Sequence, residues 1–105
     1  MKTWNQETKD KFLKMAKSSA ELNAFKQGQW LNDEVKAGAF CGCMHGRLTQ
    51  LNEGVLEESS KYMSWPLWLT YLSERVFEGL KEGECSEFVV NLIEAVPVEC
   101  NLDPV

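Results

Sequence analysis

The sequence predicts an all-α fold: a compact single domain over residues 1–105, with five or six short helices around a central helix at about 66–80. Three features carry this expectation. Capping residues at Asn5, Ser19, Asn52 and Ser86 each precede a stretch in which apolar residues recur at helical spacing. Pro66 and Pro97 then bracket the two most apolar stretches, one at a permitted helix start and one at an obligatory helix end. No sheet beyond two short strands is expected.

Asn5 caps a first helix to about Lys17, with Glu7 near its positive dipole end and Phe12, Met15 and Ala16 forming a narrow apolar stripe. Lys9, Lys11, Lys14 and Lys17 form its solvated side. Ser18 and Ser19 break that helix, and Ser19 caps a short second one carrying Leu22 and Phe25 and stopping before Gly28. The segment Gln29–Gly38 has no sustained period and contains Asn32-Asp33, so it reads as an ordered loop pinned by Trp30. From Ala39 to Leu51 the residues are small or apolar. There Gly38, Gly42 and Gly46 recur every four positions, which on a helix gives one face where another backbone comes close.

Asn52 caps the next helix, running to about Met63 with Glu53, Glu57 and Glu58 at its positive end and Lys61 at its negative end. The chain restarts at Ser64-Trp65-Pro66. Leu69, Leu72, Val76 and Leu80 form the inner stripe of the central helix, and Leu67, Trp68, Tyr71 and Phe77 widen its apolar surface. Ser86 begins the last helix, pointing Phe88, Val89, Leu92, Ile93 and Val96 inward, and an extended tail runs from Val98 to Val105.

Composition bounds the function classes. A chain of 105 residues buries roughly two-thirds of its unfolded surface, and four Trp, five Phe and two Tyr supply the core, so folding calls for no metal, disulfide or cofactor. The net charge of −5 disfavours nucleic acid and anionic lipid as partners, both of which need a basic face. Met1–Lys17 carries five Lys and two acidic residues and no apolar run, unlike a secretory leader. No stretch approaches the roughly 20 apolar residues of a membrane span. A cytoplasmic location is therefore expected, with Cys41, Cys43, Cys85 and Cys100 as thiols.

The C-terminal half also resembles a known pattern. Trp65-Pro66-Leu67-Trp68-Leu69, Glu74-Arg75-Val76-Phe77-Glu78-Gly79-Leu80, Leu92-Ile93-Glu94-Ala95-Val96-Pro97-Val98 and Asn101-Leu102-Asp103 are similar to a family of small bacterial and phage proteins without an assigned function. Its pattern runs I-P-x-W-L-x-x-L-E-D-R-I-F-E-G-L-P, then F-L-E-A-I-P-V-G-A-D-L. Looser similarity takes in Phe25–Trp30 and Gly42–Gly46, for about three-quarters of the chain. This chain has Leu67 and Ser73 where the pattern is acidic and Lys81 where it has Pro, and the first cysteine and the histidine are spaced differently. The resemblance implies a fold and assigns no catalytic residue.

Two groups of residues bear on function. Cys41, Cys43 and His45 are the soft-metal ligand types, but residues two apart on a helix diverge, so a metal site there requires a loop and a fourth ligand from Cys85 or Cys100. A thiolate at a helix start has a lowered pKa, which makes Cys41 and Cys43 redox candidates as well. Glu74, Arg75 and Glu78 are the acid–base candidates alongside His45, with Arg75 and Glu78 spaced for an ordinary ion pair. No nucleophile elbow, phosphate loop or zinc-protease motif occurs. Trp65, Leu67 and Trp68 are the partner-binding candidates, since exposed aromatics dominate interfaces. The expected function is a non-catalytic binding or interaction module, a homodimer through the central helix; the competing reading is a metal- or thiol-dependent protein centred on Cys41, Cys43 and His45.

Overall fold

The computed structural model describes residues 4–51 and 56–99. The expected helix cap at Asn52, Cys100 and most of the C-terminal tail lie outside the described residues. Helices dominate the rest: α1 (Gln6–Glu21), α2 (Met44–Thr49), α3 (Leu56–Met63), α4 (Leu67–Gly79) and α5 (Cys85–Ala95), with a 3-10 turn at Glu82–Glu84 and a hairpin of β1 (Val35–Lys36) with β2 (Ala39–Phe40). This is the all-α architecture the sequence predicts.

Asn5 caps α1 as expected, its side-chain oxygen accepting the Thr8 N–H at 2.9 Å. The helix does not stop at Ser18. It continues to Glu21, so no second helix starts at Ser19. Ser19 is buried and its Oγ accepts the Arg47 Nε–H at 2.9 Å, a tertiary bond that removes the need for the serine to cap. Phe25 instead lies in extended chain, bridged in parallel to Gly42 and packed edge-on against Phe77.

Trp30 pins the following loop, with its indole N–H donating to the Leu51 carbonyl at 2.6 Å. The hairpin pairs Val35 with Phe40 and Lys36 with Ala39. Both turn residues, Ala37 and Gly38, have positive φ (54° and 79°), the tight two-residue turn whose twist suits a hairpin. Gly38 therefore belongs to a turn and not to a helix face. Gly42 precedes α2 and Gly46 lies in it, and these two do admit a backbone: a Cβ would sit 2.0 Å and 1.8 Å from the Trp30 carbonyl oxygen. The buried Arg47 fastens α2 to the hairpin, donating to the carbonyls of Lys36, Ala39 and Phe40.

Pro66 stands at the cap of α4, but the buried face of α4 differs from the expected stripe. Leu69, Thr70, Ser73 and Phe77 point inward, while Leu72 and Val76 are exposed, a rotation of roughly 70° at 100° per residue. The cause is polar. Thr70 and Ser73 are satisfied inside, Thr70 Oγ1 by the Pro66 carbonyl and Ser73 Oγ by the Thr70 carbonyl and the His45 ring. A hydrophobic stripe therefore does not mark the inner face. The expected Arg75–Glu78 ion pair is absent among the described residues; Glu78 accepts the Gly28 N–H at 2.8 Å.

The helix α5 begins at Cys85, one residue before the expected Ser86, and buries Val89 and Ile93, with Phe88 and Leu92 partly covered. It lies along α1, and Lys9 donates to the Glu94 and Val96 carbonyls at its C-terminal end, where the helix dipole favours a cation. Trp4 closes the core from outside α1. Its ring stacks on Phe12 and meets Trp65 edge-on at 5.4 Å, and its indole N–H donates to the Val96 carbonyl. One apolar cluster joins these residues to Met44, Leu48, Met63, Leu69 and Phe77. No described helix is long and apolar enough to cross a membrane.

Candidate functional site

The short α2 lies beside α3 and α4, and this contact decides the chemistry of the sequence candidates. His45 is fully buried. Its Nδ1 lies 3.0 Å from Ser59 Oγ on α3, and its Nε2 lies 2.8 Å from Ser73 Oγ on α4. Ser73 donates its proton to the Thr70 carbonyl at 3.0 Å, so it must accept from the ring. That assigns the tautomer: Nε2 carries the hydrogen and Nδ1 accepts from Ser59. Burial in this apolar setting, edge-on to Trp65, holds the imidazole pKa down to about 4, and the ring is neutral at pH 7. Both nitrogens are committed to serines, so the ring ties three helices together and offers no lone pair to a metal.

Cys41, Cys43 and His45 are thus not assembled as one ligand set. Cys41 is buried between the hairpin and the Trp30 loop, its N–H donating to the Glu34 carbonyl and its carbonyl accepting from Asn32. Cys43 caps α2, where the helix dipole alone would favour a thiolate. Burial and the neighbouring Glu74 charge override the dipole and push the thiol pKa well up, so the thiol is protonated at neutral pH. This removes the basis for the redox expectation at Cys43.

What Cys43 does meet is the flank of α4. Its Sγ and the carboxylates of Glu74 and Glu78 all lie within 4.8 Å of one another. Glu74 Oε2 accepts the His45 backbone N–H at 3.2 Å, and Glu78 Oε2 accepts the Gly28 N–H. Burial raises the Glu74 pKa, partly offset by the Cys43 thiol and the His45 amide. A cleft of about 280 Å³, lined by Trp30, Cys43, Leu56, Glu74 and Glu78 among others, opens over the group. It adjoins a second of about 670 Å³ walled by Trp68, Tyr71, Leu72 and Arg75.

The sequence contains a signal for this cluster that the acid–base reading passed over. Glu74 and Glu78 are like charges at i, i+4, an arrangement that disfavours a helix unless something nearby compensates it. Ser59 and Ser73 carried no such signal, because a serine on an amphipathic helix ordinarily reads as surface.

The partner-binding candidates separate. Trp65 is a core residue, packed on Trp4 and His45, and it is not available at the surface. Leu67 and Trp68 are exposed on α4, joined there by Tyr71, Leu72 and Val76, with exposures of 38–51%. Tyr71 donates its hydroxyl to Glu57 of α3 at 2.6 Å. No protein-family model, curated protein or solved structure matches this chain.

Proposed function

We propose that this protein is a non-catalytic interaction module that pairs with a second copy of itself through the outer face of α4. The observation that carries the reading is the run of Leu67, Trp68, Tyr71, Leu72 and Val76, five large apolar side chains that are each 38–51% exposed on one helix. Isolated apolar residues on a surface need no explanation, but a contiguous patch of this kind marks an interaction site. Among the described residues the other exposed large apolar side chains are the cross-strand pair Val35 and Phe40 and the separate Leu22 and Tyr62, fewer in each place than the five on α4.

A two-fold arrangement also suits the polar residues of the face. With two α4 helices antiparallel and the axis between Tyr71 and Leu72, Arg75 of each copy lies opposite Trp68 of the other, three to four positions from the axis on either side. Arginine over an indole face is attractive. The commitment of both His45 nitrogens inside the core and the protonated state of Cys43 support the non-catalytic part of the reading.

Sedimentation and light scattering at micromolar concentration test the proposal on wild type, Leu67→Glu and Leu72→Glu. The expected result is a wild-type dimer and two folded monomers. A monomeric wild type refutes self-association, and a dimer left intact by both substitutions refutes the α4 face.

A further inference from the structure

We propose that Cys43 Sγ and the carboxylates of Glu74 and Glu78 form an open three-ligand site for a divalent cation of the Zn²⁺ class. The site shares no ligand with His45 or Cys41, and none of its ligands belongs to the apolar run proposed for self-association, although the two lie on adjoining clefts. Three observations converge on it. The first is the donor set: one thiol and two carboxylates, drawn from the α2 cap and from positions i and i+4 of α4, meet within 4.8 Å at the base of a solvent-open cleft. Zn²⁺ accepts sulfur and oxygen together, whereas Mg²⁺ and Ca²⁺ avoid thiolate and Cu(I) prefers sulfur alone.

The second is orientation. Each carboxylate is held through one oxygen by a backbone N–H, Glu74 by His45 and Glu78 by Gly28. Outer hydrogen bonds of this type fix ligands in bound geometry and are a regular part of metal sites. The cysteine is fixed as well, because Gly42 and Gly46 on either side of it press directly on the Trp30 carbonyl. Ligand atoms around a tetrahedral Zn²⁺ are roughly 3.3–3.5 Å apart, given bond lengths near 2.0 Å to oxygen and 2.3 Å to sulfur. Any contraction from within 4.8 Å to that spacing is borne by Glu78, the exposed member, and loosens its bond from the Gly28 N–H.

The third is charge. The ion pairs among the described residues are Lys36–Glu34 and Lys61–Glu58, so neither Glu74 nor Glu78 has a cationic partner within 4 Å. Two carboxylates one helical turn apart, one of them largely withdrawn from water, repel each other and lack compensation. A divalent cation turns that repulsion into attraction. Binding displaces the Cys43 thiol proton to solvent, so affinity rises with pH. The three ligands leave a fourth position facing the cleft, for water or an incoming donor.

Titration of the reduced full chain with Co²⁺, a spectroscopic stand-in for Zn²⁺, tests the site. A saturable one-to-one complex with a thiolate-to-cobalt charge-transfer band is expected, displaced by Zn²⁺ and insensitive to excess Mg²⁺. Cys43→Ser is expected to abolish the band, while Cys41→Ser and Cys85→Ser leave it. If circular dichroism shows Cys43→Ser unfolded, Glu78→Gln at the exposed ligand decides the matter, with affinity expected to fall by at least ~10-fold. Absence of the band in the folded wild type overturns the proposal. A band that survives in folded Cys43→Ser, or affinity unchanged in Glu78→Gln, overturns it equally.

Discussion

Replacing Gly46 with alanine is expected to destabilise the protein sharply, although alanine is the better helix former. The added Cβ would sit 1.8 Å from the Trp30 carbonyl oxygen and 2.7 Å from its carbon, where ordinary contact begins at 3.4 Å, so the two backbones must part by about 1.6 Å. The neighbour is main chain and has no rotamer to turn. Moving it strains three anchors: Trp30 Nε1 to the Leu51 carbonyl at 2.6 Å, Cys43 N to the Gln29 carbonyl at 2.9 Å and Asn32 N to the Cys41 carbonyl at 2.8 Å. Overpacking of a tight contact costs about 1–3 kcal/mol and each weakened hydrogen bond about 1 kcal/mol, against roughly 1 kcal/mol gained in helix propensity. The net is a loss of about 3–5 kcal/mol, which at roughly 4–8 °C per kcal/mol is at least ~12 °C in Tm for a domain of this size. Gly79→Ala is the control, since a Cβ there meets nothing within 4 Å and is expected to be neutral or slightly stabilising. Chemical denaturation of both variants measures the difference. A Gly46→Ala protein within 0.5 kcal/mol of wild type, a shift no larger than that of an ordinary surface change, would refute the argument that Trp30 dictates this glycine.

Asn5→Ala removes the acceptor for the Thr8 N–H at the start of α1, and urea midpoints are expected to report a loss of about 1 kcal/mol. Arg47→Lys keeps the charge but loses the planar fork that reaches Ser19 and three hairpin carbonyls; a loss of about 2 kcal/mol or more is expected, with faster amide exchange in residues 35–40, and unchanged exchange there would count against the pinning role. The buried His45 is neutral down to about pH 4, whereas the unfolded chain takes up its proton near pH 6.5, so its contribution is intact above pH 6.5 and drains away as pH falls towards 4. Between pH 7 and 5 the expected loss is about 2 kcal/mol. The raised pKa of Glu74, in contact with the same backbone, works in the opposite direction, and urea titrations of Glu74→Gln separate the two; stability flat from pH 7 to 5 in that variant would contradict the neutral-imidazole assignment.

The elements legible in the sequence are those whose signals are local. Asn5 caps its own helix, Pro66 stands at the start of α4 and Pro97 ends α5, because capping and φ restriction act within one turn of chain. Apart from Gly38, which belongs to a local hairpin turn, the main errors arise where a residue answers to a partner far along the sequence. Ser19 looks like a helix start until Arg47, 28 residues on, supplies its hydrogen bond. Ser73 and Thr70 look like the outside of α4 until Thr70 bonds back to Pro66 and Ser73 meets the His45 ring, and α4 turns with them. That rotation matters for function. It carries Leu72 and Val76 out to the surface beside Leu67 and Trp68, while Glu74 comes to rest against the His45 amide and the Cys43 thiol. The apolar patch and the thiol–carboxylate cluster therefore share one origin: the polar residues that α4 buries around a neutral histidine.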